Sequence, residues 1–135
     1  MDFHNHERKI AGMKRLLKGL CTSCSDLVEK FEYKLKLNNY STSRILKYLT
    51  FLKVIHTMSD VCFDKVGKEE IERLVIKIDG NKEWSDYTKS DYKGVLKFFF
   101  RWTANQSFEG EYPDSVKWLK TKMKKLATLL ILVAL

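Results

Sequence analysis

In the segment WSDYTKSDYKGVLKFFFRWT, residues 84–103, the side chains of Tyr92, Val95, Leu96, Phe99 and Trp102 recur every three or four positions. That spacing lines them up along one side of an α-helix and is incompatible with the alternation of a half-buried strand. Lys89, Lys93, Lys97 and Arg101 follow one another at four-residue intervals on the other side, sweeping about 120° of the helix surface. The segment therefore needs a core on one face and leaves a row of cations on the other. No acidic residue lies between Asp91 and Glu109. Lys93, Lys97 and Arg101 thus lack the carboxylate one turn earlier that a merely solubilising helix supplies. Most lysines and arginines on a helix simply face water, so the row gains meaning only from the rest of the chain.

The remaining segments repeat the helical period. Ile10, Met13, Leu16, Leu17 and Leu20, with Arg8, Lys9, Lys14, Arg15 and Lys18 between them, predict an amphipathic basic helix over His4–Leu20. Gly19 and the run Cys21–Ser25 predict a break, after which Ser25 or Asp26 caps a helix carrying Leu27, Phe31, Leu35 and Leu37. Asn38 and Asn39 stop it. Thr42 or Ser43 is placed to cap the next helix, with Ile45, Tyr48, Leu49, Leu52, Ile55 and Met58 on its buried side and an end near Ser59. A linker with Asp60, Asp64 and Gly67 leads to a helix over Lys68–Ile78, closed by Gly80. Ser85 or Asp86 caps the cationic helix, and a loop from Phe108 to Pro113 precedes a last helix with Val116, Trp118 and Leu119. Sustained strand alternation and 20–50-residue repeats are both missing. The fold class expected is all-α, a bundle of about five to six helices.

With 135 residues the chain is expected to form one domain with a single helical core. Lys and Arg number 25 against 17 Asp and Glu, a net charge of +8, which favours a polyanionic partner such as nucleic acid or an anionic membrane surface. Eight Phe, six Tyr and three Trp beside a single Pro exclude a disordered chain. The odd set Cys21, Cys24 and Cys62, with no leader-like opening, predicts reduced thiols in a cytoplasmic protein.

Other constellations carry less. Cys21 and Cys24 form a CxxC that His4 and His6 could complete as a zinc tetrahedron, but a second CxxC is missing, and two ordinary thiols at a helix start are the better reading. Neither a metal nor a cofactor is implied. His4-Asn5-His6 lacks the ββα-metal context of a nuclease. Glu69, Glu70, Glu72 and Asp79 lie near the ends of one helix, where the first of them favour the helix dipole. His56 reads as an interior imidazole. The phosphate-loop, nucleophile-elbow and HExxH motifs are absent, and no small-molecule substrate is indicated. Leu126–Leu135 has Thr128 as its one polar residue and follows Lys117, Lys120, Lys122, Lys124 and Lys125. It is too short to span a bilayer, which needs about 20 residues, and is expected to finish the last helix and dock on the bundle or a neighbour.

Two segments share an internal grammar: NNYSTSRILKYLTFLKVI at 38–55 and EWSDYTKSDYKGVLKFFFRW at 83–102. In each a small hydroxyl residue opens a helix, then come a basic residue, Tyr, Leu and an aromatic and aliphatic stretch. Over residues 26–122 the chain resembles the N-terminal core-binding domain, the SAM-like helical domain, of tyrosine recombinases of the phage integrase type. FDKVGKEEIERLVIKI fits that family's short middle helix. The resemblance implies double-stranded DNA as partner, together with other protomers of a recombination complex. Two helices would be laid on the major groove and flanking phosphates. By matching position, Ser41, Thr42, Ser43, Arg44 and Lys47 would face DNA from one of them, and Ser85, Thr88, Lys89, Lys93, Lys97 and Arg101 from the other.

That family's catalytic domain supplies two separated arginines, a lysine, histidines and a tyrosine nucleophile. None of that set fits before Leu135, so the resemblance implies a fragment or truncated form that is not an enzyme by itself. The expected organisation is a basic helical extension over 1–25, the DNA-binding domain over 26–122, and an apolar tail over 123–135 in place of an interdomain linker. The competing expectation is a small helical protein whose terminal segments, Ile10–Leu20 and Leu126–Leu135, bind another protein or an anionic membrane surface.

Overall fold

The computed structural model describes residues 22–59 and 61–121, with Arg8 and Ala11 besides. Among these residues the only regular secondary structure is helical. Five α-helices, α1 (Thr22–Leu37), α2 (Thr42–Met58), α3 (Lys68–Asp79), α4 (Asp86–Asn105) and α5 (Asp114–Lys117), are accompanied by a 3₁₀ turn at Phe63–Lys65. The chain divides into two compact units, Met1–Glu70 and Ile71–Leu135. The expected helix over His4–Leu20 and the apolar run 126–135 lie outside the described residues, apart from the helical Arg8 and Ala11.

In the first unit α1 begins earlier than the sequence suggests. Ser25 and Asp26 do not cap it; the helix already runs from Thr22, and Ser25 is buried inside it. The reason is Cys24, fully buried, which behaves as a small hydrophobe and extends the stripe Val28, Phe31, Leu35 back by a turn. Leu37, expected on that stripe, is instead 61% exposed at the helix end. The turn into α2 is tight: Asn39 takes a left-handed φ of 63°, and the Tyr40 amide donates to the Leu35 carbonyl at 3.0 Å. This conformation suits Asn better than most residues.

Ser41 rather than Thr42 or Ser43 caps α2, its hydroxyl accepting from the Arg44 amide. Ile45, Leu49, Leu52 and Ile55 are buried as the spacing predicts, while Tyr48 and Met58 are half-buried at the margin. α1 and α2 pack together, with Phe31 edge-on to Tyr48 at 6.2 Å.

The linker after α2 is better ordered than a loop reading implies. Phe63 is 3% exposed and packs edge-on against His56 at 5.3 Å, and its amide donates to the Cys24 sulfur at 3.1 Å. Burial pushes the Cys24 thiol above its ordinary value, opposed by that amide and assisted by nearby Asp64. The expectation that every thiol is reduced fails at Cys62, which is disulfide-bonded. Cys24 is free.

In the second unit α3 turns Ile71, Leu74 and Ile78 inward, and Gly80 ends it by donating its amide to the Ile76 carbonyl at 2.9 Å. Ser85 caps α4, accepting from the Thr88 amide at 3.1 Å. Tyr92, Val95, Leu96, Phe99 and Trp102 are all buried, as their spacing requires, and Trp84 stacks on Tyr92 at 4.3 Å. Past the left-handed Gln106, Asn105 binds the loop back by donating to the Glu111 carbonyl at 2.8 Å. Gly110 has φ +99°, and a β-carbon there would meet the Asn105 side-chain oxygen at 2.9 Å, so this position needs glycine. The last predicted helix is one short turn, α5, which packs on α4. Val116 and Leu119 are buried while Trp118 stays 38% exposed.

Phe99 is 0% exposed and Ile76 is 71% exposed, so truncation should separate them sharply. Phe99→Ala should cost about 3–5 kcal/mol by cavity formation, and Ile76→Ala about 0.5 kcal/mol or less, in urea unfolding followed by circular dichroism.

Burial holds the His56 imidazole below its ordinary 6.5, so the unfolded chain takes up the proton first as pH falls. Its stabilising contribution is full above the ordinary value and is lost as pH falls through the folded one. Thermal melts should therefore decline in this acid direction, and His56→Phe should shrink the part of the decline that begins near neutrality.

Candidate nucleic-acid interface

The first turn of α2 is built around Arg44. With Ser41 capping the helix and Ser43 exposed beside it, the two hydroxyls approach within 3.3 Å. Arg44 is exposed and its guanidinium lies over the Tyr40 ring at 4.8 Å and the Tyr48 ring at 5.8 Å, donating to the Tyr48 hydroxyl at 3.1 Å. Tyr40 and Tyr48 pack 6.2 Å apart. Cation–π contact of this kind contributes roughly 0.5–1 kcal/mol at an exposed site and spares a bound ligand the cost of ordering a free side chain. Among the described residues no carboxylate pairs with Arg44. Lys47 is exposed, with its ammonium 5.7 Å from the Phe51 ring centre, and Thr42 is half-buried.

On α4 the geometry departs from the sequence reading. All four cations are half-buried rather than exposed. Lys89 donates to the backbone carbonyl of Asp79 at 2.9 Å. Lys93 is 12% exposed and its ammonium forms an ion pair with the Asp79 carboxylate. Farther along, Lys97 and Arg101 both lie over the Tyr112 ring, each 4.5 Å from its centre. The Arg101 Nε is buried and makes no hydrogen bond. Ser85 is exposed but occupied in capping, and its hydroxyl donates to that of the half-buried Thr88 at 3.2 Å.

The expectation that Lys93 lacks a carboxylate is thus corrected. Its partner comes from the end of α3 rather than from the preceding turn of α4. Asp79 sits where the α3 dipole disfavours a negative charge, and two ammonium groups converging on it offset that cost. Asp79, Tyr112 and Tyr40 are the residues missed by sequence reasoning. Tyr40 directly precedes the cap of α2 and Asp79 directly precedes the glycine that ends α3, signals that were available; nothing in the sequence pairs Tyr112 with α4.

The described residues contain no group of three or more potential metal ligands. His4, His6 and Cys21, the residues that a zinc site would need, lie outside them. No described helix is long and apolar enough to cross a membrane.

No protein-family model, curated protein or solved structure matches this chain, so its functional reading rests on the arrangement of these side chains.

Proposed function

We propose that this protein binds duplex DNA as the core-binding module of an integrase-like site-specific recombinase, with a SAM-like helical fold, and is not catalytic alone. The observation that carries the reading is the two-sided character of α4: a buried aromatic face opposite a row of four cations at successive turns. A cation every turn, about 5.4 Å along the axis, offers several contacts to a strand that carries one charge per roughly 3.4 Å of duplex axis. Arg44 adds a stacked guanidinium at the first turn of α2, suited to bidentate phosphate contact. Such contacts position the protein without reading sequence, so binding should tolerate many sequences and respond steeply to salt.

Titrating the protein into a 30-base-pair duplex at increasing salt tests this. Affinity should fall by at least about tenfold between roughly 50 and 200 mM salt. Arg44→Ala with Lys97→Ala should weaken binding and reduce the slope of log affinity against log salt by about two. Affinity that is flat in salt, or indifferent to the double substitution, refutes the reading. Binding to anionic vesicles but not to duplex would favour the membrane-surface alternative.

A further inference from the structure

The convergence of Lys89 and Lys93 on one residue is the feature of this surface that simple solvation does not explain. The Lys89 ammonium donates to the Asp79 backbone carbonyl at 2.9 Å, and the Lys93 ammonium pairs with the Asp79 carboxylate. Lys89 thus holds the main chain of Asp79, and Lys93, one turn farther along α4, pairs with its charge. A phosphate in place of that carboxylate would take up the Lys93 ammonium in the same way. Lys93 is the less accessible member at 12%, whereas the Asp79 side chain is 51% exposed. The carboxylate is therefore the movable partner, and a strand phosphate would approach from the side on which it stands.

We infer that Asp79 is an internal competitor for the phosphate contact of Lys93, lowering the affinity of α4 for DNA until the carboxylate is displaced. The inference rests on the DNA-binding reading and adds regulation to it. Because the chain supplies its own anion, weak non-specific contacts do not engage Lys93. A duplex held correctly by Lys97 and Arg101 of the same helix gains it once Asp79 swings out. Asp79 thereby widens the difference between a well-seated duplex and a passing polyanion, a form of discrimination by a built-in competing interaction.

A purely structural role makes a different prediction. If Asp79 serves to hold Lys93 in its working position, neutralising it weakens binding; if it competes, neutralising it strengthens binding. Asp79→Asn keeps the side-chain shape and the backbone carbonyl used by Lys89, and it removes a charge disfavoured at a helix C-terminus, so the fold should persist. Asp79→Ser provides a second variant, and thermal melts verify both. Glu72→Gln is the charge control: an exposed residue of α3 with the same change in net charge, about 10 Å away along the helix axis.

With the 30-base-pair duplex as probe, Asp79→Asn should bind about three- to tenfold tighter than the unaltered chain and steepen the salt slope by about one. Glu72→Gln should change affinity less than about twofold. The gain should vanish when Lys93→Met is added to Asp79→Asn. The inference is overturned if Asp79→Asn binds no tighter than Glu72→Gln, binds more weakly than the unaltered chain, or keeps its gain without Lys93. If neither the unaltered chain nor Asp79→Asn binds duplex, the DNA reading falls and takes the inference with it. If both bind equally, the DNA reading survives and only the competition is refuted.

Discussion

Burial of one face of α4 is the constraint on which the rest of the second unit depends. Trp102 and Phe99 are almost wholly removed from water, with Tyr92, Val95, Leu96 and Phe100 beside them. Each large side chain so buried contributes on the order of 1.5–3 kcal/mol. Together they leave no freedom in the rotation of the helix about its axis. A rotation that exposed Trp102 would bury Lys93 or Arg101, and an unpaired ammonium or guanidinium in the core is far costlier than an exposed ring. The orientation of the cations is therefore a by-product of aromatic packing.

This explains why the helices were legible in the sequence and the electrostatics only half so. Periodic burial is a local property: the spacing of Ile45, Leu49, Leu52 and Ile55, or of Ile71, Leu74 and Ile78, specifies a buried stripe without reference to any other segment. Ser85 acts as the expected cap through a bond that reaches only three residues, whereas Ser41 takes the role expected of Thr42 or Ser43. The ion pair between Lys93 and Asp79 spans a helix end, a turn and the start of another helix. A search for carboxylates one turn away along α4 cannot find it. The contacts of Tyr112 with Lys97 and Arg101 are hidden for the same reason, since they depend on how the loop after α4 folds back.

In the first unit the start of α1 and the linker after α2 are hidden for a different reason. As a thiol in a CxxC, Cys24 suggests chemistry, but its physical role is that of a small core hydrophobe whose sulfur accepts the Phe63 amide. As an apolar residue it accounts for the start of α1 at Thr22 and for the burial of Ser25 beside it. Phe63 likewise sits in a linker with no apolar period around it, yet it attaches that linker to His56 and Cys24. Such isolated anchors have no period to betray them.

Gln106 closes α4 with φ 54° and its amide bonded to the Trp102 carbonyl at 2.7 Å. An L-residue other than Asn, Asp or Gly holds that backbone shape at a cost of roughly 1 kcal/mol or more, and here it does so two positions before Phe108, which stacks on Phe98 at 4.9 Å. The hinge is thus held shut by an aromatic clasp from outside. A change that loosens the clasp would release the chain reversal after α4, and with it the ring of Tyr112, before it disturbed the helix itself.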